Sequence, residues 1–314
     1  MSPAGSGLSR LTPWLLTGPF LVIFAVFTVV PLLQSIPLAM SHTFGPSASV
    51  PVGLDNFRSA LDDPRFWTAI RNTFYFTAGS VFIQLPLALG LAMLLNRRGL
   101  RGKAVFRLLF FSPQLVGLVF VGVIAAIAFQ KQSGLINVTL AHAVAPFHEM
   151  TVSERGTSWF PAPAVMLGIP WLETLALPTL IITALWMYTG FNMIYFLAAL
   201  QNVSQEQIDA AVIDGAGPLS RFVNITLPAI SPVLLFVVLL SIIGSFQLFE
   251  LPFIMLPEGV GLQDRGLTIV TYLFKSGFEA GDLGYAAAIG WMLALLLAGF
   301  GIAQRLAGRQ DSLR

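Results

Sequence analysis

The sequence predicts an all-α protein that crosses a membrane six times, with residues 1–314 forming a single transmembrane domain. The first observation behind this fold class is composition: 56% of the residues are hydrophobic, 10% are charged, and the mean hydropathy is +0.80. Water-soluble domains carry about 25% charged residues, so this chain has too few charges to cover a soluble surface. The second observation is that the apolar residues fall in six long stretches.

Each of these stretches is long enough to cross a bilayer as a helix. A helix rises about 1.5 Å per residue, so a hydrocarbon core about 30 Å thick needs about 20 apolar residues. The six predicted spans are Trp14–Met40, Thr73–Leu95, Ala104–Phe129, Leu175–Leu200, Val233–Leu256 and Gly284–Ala303. Several contain proline, which membrane helices tolerate because neighbouring groups satisfy the freed backbone. A more polar segment, 201–232, separates the fourth and fifth spans.

The charges between the spans indicate which side of the membrane each connection faces. With the N-terminus inside, the inner segments hold ten of the seventeen basic and four of the fifteen acidic residues, a net charge of +6. The outer segments then have a net charge of −4, and the cluster NRRGLRGK at 96–103 causes most of the difference. Because basic residues prefer the cytoplasmic side, both termini and segment 201–232 are predicted to be cytoplasmic. Residues 52–73 are predicted to form an amphipathic helix at the outer surface.

Several functional classes are excluded by what the sequence lacks. It has no cysteine for a disulfide, a thiolate metal site or a nucleophile, and its three histidines have no metal-ligand spacing. No G-x-x-x-x-G-K-[ST] motif occurs, so the chain does not bind ATP by a P-loop. A net charge of +2 is too small to indicate nucleic acid. The sequence therefore predicts no catalytic residue, no cofactor and no metal.

A short acidic segment interrupts the apolar sequence: QEQIDAAVIDGAGPLSRFVNITLP, residues 205–228. Ser204 followed three residues later by Gln207 fits a capping box, which predicts a helix from about Gln205. Gly215 can adopt the left-handed conformation that ends a helix without Cβ strain. A short helix with a sharp turn behind it is therefore predicted on the cytoplasmic side.

A second short helix is predicted to begin at Gly217–Pro218, because proline suits the first helical turn. Leu227–Pro228 would end this helix, and Pro232 would open the fifth span. The resulting hairpin has a small apolar tip framed by acidic residues, a shape suited to a groove on a partner protein. An ordinary hairpin that only links two spans agrees equally well with these residues.

The stretch DAAVIDGAGPLSRFVNITLPAISP resembles the EAA motif of permease subunits in binding-protein-dependent ABC importers. That motif runs E-A-A, two residues, D-G-A, then an aromatic residue, I-x-L-P and a further proline. The residues at the E-A-A and D-G-A positions are Asp209, Ala210, Ala211, Asp214, Gly215 and Ala216, and Phe222, Ile225, Leu227, Pro228 and Pro232 follow in step. Aspartate in place of the first glutamate keeps the charge. The resemblance implies that the first six residues belong to the ATPase-coupling helix.

Further stretches resemble the carbohydrate-uptake branch of these importers, in particular the first permease subunit of maltose, multiple-sugar and glycerol-3-phosphate systems. These stretches are VGLDNFRSALDDPRFWTAIRNTFYF, FRLLFFSPQLVGLVF, GLIN, FNMIYFLAALQNVSQEQIDAA and SFQLFELPFIM. One departure follows the fifth span, where the family often has T-x-G-G-P and this chain has LPEGVGLQDRG. The outer loop 131–173 is also longer than the usual minimal version, so the outer mouth is expected to differ.

The resemblance implies the type I ABC importer permease fold in a bacterial-type cytoplasmic membrane. In such importers two related permease subunits form the pore over a dimer of ABC ATPases, and a periplasmic or lipid-anchored binding protein delivers the solute. ATP binding closes the ATPases, which pull on the coupling helices and turn the pore outward. The expected partners are therefore a second permease, the ATPase dimer, the binding protein and membrane lipid, without nucleic acid.

Two groups of polar residues are candidates for the solute path. Tyr188, Asn192 and Tyr195 are spaced i, i+4, i+7 in the fourth span and would share one helix face. Gln247 and Glu250, at i, i+3, would share a face of the fifth span. Hydroxyls and amides beside aromatic rings suit the hydroxyls and C–H faces of a sugar. The alternative is hydrogen bonding between helices, or, for Glu250, snorkelling or a structural ion pair.

Two other functions stay open on the sequence. An ABC permease for a non-sugar solute, such as glycerol phosphate, an amino acid or phosphate, would keep the EAA segment but not the sugar-branch stretches. A stand-alone secondary carrier or channel is disfavoured by the EAA segment and by the scarcity of charge in the spans, which hold Arg107 and Glu250. The sequence favours a permease subunit that forms half of a pore for a sugar or sugar-like solute.

Overall fold

The computed structural model describes residues 8–43, 49–97, 99–151 and 168–311, and most of these residues are helical. The predicted all-α class is confirmed, with one small addition. Two short antiparallel strands, β1 (Ser41–Thr43) and β2 (Ser49–Pro51), pair with each other. Arg98 of the basic cluster, residues 152–167 of the long outer loop and the two chain ends lie outside the described residues.

The helices are numbered here in chain order. They are α1 (Leu8–Phe24), α2 (Val30–Ala39), α3 (Asp55–Asp62), α4 (Pro64–Gly79), α5 (Leu85–Asn96), α6 (Lys103–Val116), α7 (Leu118–Ala128), α8 (Leu135–Thr151), α9 (Ala176–Gln201), α10 (Gln205–Ile213), α11 (Pro218–Arg221), α12 (Leu227–Phe246), α13 (Glu250–Met255), α14 (Ile269–Phe274) and α15 (Leu283–Asp311). Wider π-helical turns lie at Ala25–Val29, Ser80–Gln84, Phe222–Thr226 and Lys275–Glu279. The first three of these turns join two helices without interrupting the helical path.

Five helical stretches of the described chain are long and apolar enough to cross a membrane. They are Pro13–Ala39, Pro64–Asn96, Ala176–Gln201, Pro218–Phe246 and Leu283–Leu306. A sixth crossing is obtained when α6 and α7, which meet at an angle of 98°, are taken as one broken span. Five to six apolar helices agree with the predicted polytopic membrane protein.

The third predicted span, 104–129, is therefore not one straight helix. Gly117 lies between α6 and α7 with φ 93° and ψ 150°, outside the helical region. Glycine reaches a positive φ readily because it has no Cβ. Pro113, one turn earlier, cannot donate a backbone hydrogen bond and weakens the helix ahead of the break. The apolar sequence continues through the bend, so hydropathy did not mark it.

The fifth predicted span, 233–256, is displaced toward the N-terminus. The helix that contains most of it begins at Pro218 and ends at Phe246. The prediction that Leu227–Pro228 ends a separate short helix is wrong, because the π-helical turn Phe222–Thr226 widens the helix just ahead of the proline. The missing N–H of that proline therefore does not break the helix.

The second span begins earlier than predicted, at Pro64. Asp63, with ψ 117°, is extended, as expected for a residue that precedes proline, and it separates α3 from α4. The predicted amphipathic helix 52–73 is thus two helices. The expected apolar side is not continuous even within α4, because Phe66 is buried and its neighbour Trp67 is exposed.

The chain forms two compact units. The smaller combines the chain up to Asp63 with residues 273–294. In this unit, Asp282 joins the segment after α2 to the start of α15. Its carboxylate accepts hydrogen bonds from the backbone N–H and hydroxyl of Thr43, at 3.2 and 3.1 Å, and from the backbone N–H of Tyr285 at 3.0 Å.

The larger unit contains the other described residues and is built around α9. This helix packs against α5 and α6, and two apolar clusters surround it, one containing Phe196 and the other Leu180. Its contact with α6 is a backbone contact, because a Cβ placed on Gly190 would overlap the carbonyl group of Phe110. Small residues allow such close approach between membrane helices.

Candidate functional site

The predicted coupling segment forms helix α10, which begins where the sequence indicated. Ser204 is the N-cap, and its hydroxyl accepts a hydrogen bond of 3.4 Å from the backbone N–H of Gln207. The amide of Gln205 donates a bond of 2.8 Å to the carboxylate of Asp209, one turn later. The serine of the capping sequence therefore starts this helix as predicted.

The turn after α10 depends on Gly215, which has φ +78°. Its backbone N–H donates to the Val212 carbonyl at 3.1 Å, and the N–H of Ala216 donates to the Ala211 carbonyl at 2.8 Å. These two bonds form a Schellman motif, which satisfies carbonyls left free at the end of a helix. A Cβ on Gly215 would meet nothing within 4 Å, so the requirement for glycine is conformational and not steric.

The hairpin formed by α10 and α11 is exposed along its length. Neither helix contains a buried residue, and the apolar side chains of Ile213 and Leu219 are 87% and 75% exposed. The acidic residues Glu206, Asp209 and Asp214 are exposed beside them. Exposed apolar side chains grouped in this way are typical of a surface that another protein covers.

The hairpin is also joined to the membrane helix that follows it. α11 continues through its π-helical turn into α12, so the helix runs without a loop over 29 residues, Pro218–Phe246. A displacement of the hairpin would therefore be transmitted to α12. The far half of α12 lines the cavity described next.

A cavity of about 170 Å³ lies inside the larger unit, between α9, α12 and the helix that runs from α4 to α5. Its polar lining consists of Ser80, Gln84, Tyr188, Asn192, Ser241 and Ser245. Rings of Phe76 and Phe191 lie beside these groups. The cavity therefore combines hydroxyls, amides and aromatic surfaces, and no charged side chain lines it.

Two of the predicted solute-path residues, Tyr188 and Asn192, line this cavity. Asn192 is 7% exposed, yet its amide makes no hydrogen bond with any described residue. The Tyr188 hydroxyl likewise has no hydrogen-bond partner in the described part of the chain. Buried polar groups normally have partners, so both groups are available to a ligand or to water in the cavity.

Tyr195, the third residue of the predicted stripe, lies away from the cavity. Its ring makes edge contacts with Phe191 and Phe236, at centroid distances of 5.2 and 6.2 Å. It packs against the apolar cluster that contains Phe196. The structure therefore separates Tyr195 from the two residues that line the cavity.

The predicted pairing of Gln247 and Glu250 on one face of the fifth span is wrong. α12 ends at Phe246, and Glu250 is the first residue of α13, so the two residues belong to no common helix. The Leu248 carbonyl between them instead accepts a hydrogen bond of 2.7 Å from the hydroxyl of a buried threonine, 20 residues further on. Neither residue lines the cavity.

Four polar cavity residues were not identified from the sequence. Ser80 and Gln84 form a hydrogen bond of 3.2 Å across the π-helical turn, and Ser241 and Ser245 are one turn apart on α12. Both pairs have the same i, i+4 spacing as Tyr188 and Asn192, which was the reason for placing those two residues on one helix face. The same spacing rule, applied to the second and fifth spans, would have found them.

Comparison with known proteins connects this geometry to a transport family. A family model described as "Binding-protein-dependent transport system inner membrane component" matches residues 84–311. The arabinooligosaccharides transport system permease protein AraP of Bacillus subtilis is 31% identical, over 92% of this chain and 85% of that protein. The lactose transport system permease protein LacF of Rhizobium radiobacter is 30% identical, over 95% of this chain and 94% of that protein.

A solved structure shows the same fold. A chain of a bacterial ABC transporter that imports the acidic polysaccharide alginate matches with a TM-score of 0.78 and 19% identity, over 96% of this chain and 97% of that chain. The fold is that of the type I importer permeases. With the family match and its relatives, it shows that this chain belongs to the inner membrane components of binding-protein-dependent transport systems.

Proposed function

We propose that this chain is a permease subunit that forms half of the translocation pore of an ATP-driven importer for a sugar or oligosaccharide. The observation that carries the proposal is the cavity, in which the unpartnered Tyr188 hydroxyl and Asn192 amide face aromatic rings. A sugar offers hydroxyls to such polar groups and C–H faces to such rings. Relatives whose names specify arabinooligosaccharides, lactose and diacetylchitobiose support a carbohydrate over an amino acid or phosphate.

Free energy for transport would come from a separate pair of ATPase subunits. The chain has no P-loop motif, and its family is a transport component without catalytic function. The exposed hairpin of α10 and α11 supplies a surface for such a partner, with Asp209, Asp214 and the apolar Ile213 on it. A second, related permease would complete the pore, and a binding protein outside the membrane would deliver the solute.

The cavity is tested by shortening its two unpartnered side chains. We expect Asn192→Ala and Tyr188→Ala to lower solute uptake into proteoliposomes about 5- to 150-fold, since a hydrogen bond lost by a desolvated hydroxyl costs about 1–3 kcal/mol. Basal ATP hydrolysis should persist, because both residues are far from the hairpin. The matched control is Tyr195→Phe, which removes a hydroxyl of the same helix outside the cavity and should keep normal uptake.

Thermal unfolding in detergent distinguishes a role of Tyr188 and Asn192 in solute binding from a role in helix packing. If the two variants lose stability in proportion to their loss of uptake, Tyr188 and Asn192 hold helices together and do not contact solute. Unchanged unfolding temperatures with reduced uptake would support the solute path.

The proposed orientation places the hairpin in the cytoplasm, and cysteine labelling tests it. The chain has no cysteine of its own, so one introduced residue gives the whole signal. In right-side-out vesicles, Asp62→Cys should react with a membrane-impermeant maleimide, whereas Ile213→Cys should react only after permeabilisation. The reverse pattern would overturn the orientation. Both sites are exposed in the folded chain, and the vesicles carry this chain without ATPase subunits, so a lack of reaction reports sidedness and not burial.

A further inference from the structure

A second cavity, of about 310 Å³, lies at the end of α9 opposite to the hairpin. Its walls come from residues 68–75 in the middle of α4, residues 174–178 around the start of α9, and residues 263–265. Two arginines, Arg71 and Arg265, line it, and it is called the arginine pocket below. On α9, Pro178 of this pocket lies ten residues before Tyr188 of the first cavity, a rise of about 15 Å, whereas on α4 the neighbouring residues Tyr75 and Phe76 line one pocket each.

The loop that supplies Arg265 is held in a strained conformation. Gln263 and Asp264 have φ of +55° and +59°, backbone angles that residues other than glycine rarely adopt. Arg65 holds the Asp264 carboxylate with two hydrogen bonds of 2.8 and 2.9 Å. The amide of Asn72 donates to the Asp264 carbonyl at 2.9 Å. Strain that surrounding contacts maintain in this way is typical of functional sites.

The two arginines of the pocket keep hydrogen-bond donors free. Arg71 makes no ion pair or hydrogen bond with any described residue, and Arg265 donates from Nη1 to the Thr174 carbonyl at 3.1 Å. Asp264, the acidic residue of the pocket lining, has both carboxylate oxygens bonded to Arg65. The pocket therefore has an excess of positive charge. Guanidinium groups with free N–H donors fit a carboxylate.

A carboxylate bound in the arginine pocket would belong to a protein partner rather than to the solute. The cavity further along α9 has no basic side chain in its lining. An anionic solute that left the arginines would meet a cavity with no cation in its lining. In addition, the loop residues Gln263, Asp264 and Arg265 lie within LPEGVGLQDRG, the stretch in which this chain departs from the usual family sequence. A contact specific to this chain's own partner is expected at such a position.

We propose that the arginine pocket docks an acidic side chain on the surface of the solute-binding protein. This inference rests on the proposed function, which places this end of α9 at the outer side of the membrane. Charges at the rim of an interface mainly raise the rate of association, and salt screens their effect. Arg71 and Arg265 would thus steer the binding protein onto the permease, with the Arg65–Asp264 pair holding the loop in position.

The test measures association of the purified cognate binding protein with the complete transporter in nanodiscs, at low and at high salt. With the double variant Arg71→Gln, Arg265→Gln, the binding protein should associate at least about tenfold more slowly at low salt. The association rate should also lose most of its salt dependence. The double variant Arg71→Lys, Arg265→Lys keeps the charge and should retain most of the rate at low salt. Arg58→Gln, at an exposed arginine outside the pocket, should behave as wild type.

The source of the carboxylate is decided by testing the binding protein both empty and loaded with solute. A docking role requires the same loss of rate in both states. A loss confined to the loaded protein would assign the carboxylate to the solute and overturn the proposal. Wild-type rates for the glutamine variant would also overturn it. If the wild-type transporter binds no solute-binding protein at any salt concentration, the proposed function itself fails, and this docking site with it.

Discussion

Gly215→Val is expected to abolish solute uptake while the protein still accumulates in the membrane. Gly215 has φ +78°, a conformation that costs a β-branched residue about 1–3 kcal/mol. A Cβ at this position meets no atom within 4 Å, so the variant does not disturb packing. The valine would instead favour another turn, which breaks the hydrogen bonds of Gly215 and Ala216 to α10. The hairpin would then present Ile213 and the acidic residues in the wrong arrangement to the proposed ATPase partner.

The matched control is Gly217→Val, the same substitution two residues later. Gly217 has φ −69° and ψ 166°, an extended conformation that valine adopts readily and that suits the residue before Pro218. A Cβ at Gly217 also meets nothing within 4 Å. Normal uptake is therefore expected for this control. Both variants add the same side-chain volume, so a difference in uptake between them reports the effect of the left-handed conformation at Gly215.

Uptake and ATP hydrolysis, measured together in proteoliposomes, distinguish the ways in which Gly215→Val fails. Loss of both activities would indicate that the ATPase subunits no longer dock. ATP hydrolysis without uptake would indicate docking without transmission to α12. If Gly215→Val transports as well as Gly217→Val, the hairpin is only a connector between two membrane helices, and its coupling role is wrong.

The hairpin could be predicted from the sequence because its signals are local. The Ser204 cap and the Gly215 turn each depend on residues within one or two helical turns, and both were found where they were expected. The beginning of the next helix at Pro218 is also a local signal. Its continuation past Pro228 is not, because it depends on a π-helical turn for which the sequence has no clear pattern.

The cavity was only half predicted, for a different reason. Tyr188 and Asn192 share a face of one helix, which spacing reveals, whereas Gln84 and Ser245 line the same cavity only because of how three helices distant in sequence pack. Hydropathy also continues from Phe246 into the apolar residues after it, so it does not mark the end of α12. That end coincides with a tertiary hydrogen bond to the Leu248 carbonyl, and no local pattern contains this information.

The close contact between α6 and α9 leads to the second large expected effect: Gly190→Ala should sharply reduce the amount of folded protein. A Cβ on Gly190 would overlap the carbonyl carbon and oxygen of Phe110 and lie 3.0 Å from the backbone nitrogen of Phe111. These are backbone atoms of a helix, so they cannot move aside as a flexible side chain would. The two helices must separate, and overpacking of this kind typically costs about 1–3 kcal/mol, occasionally more.

Gly90→Ala is the matched control, because it places the same methyl group on α5 where nothing lies within 4 Å. Alanine is favoured over glycine inside a helix by about 1 kcal/mol, so this variant should unfold at the wild-type temperature or above it. In detergent, the purified Gly190→Ala chain should therefore unfold at a lower temperature than the purified Gly90→Ala chain. Equal unfolding temperatures would show that α6 and α9 are not in backbone contact. Since Gly190 lies between Tyr188 and Asn192 on α9, the same separation of helices would also move the cavity wall, and uptake should fall together with stability.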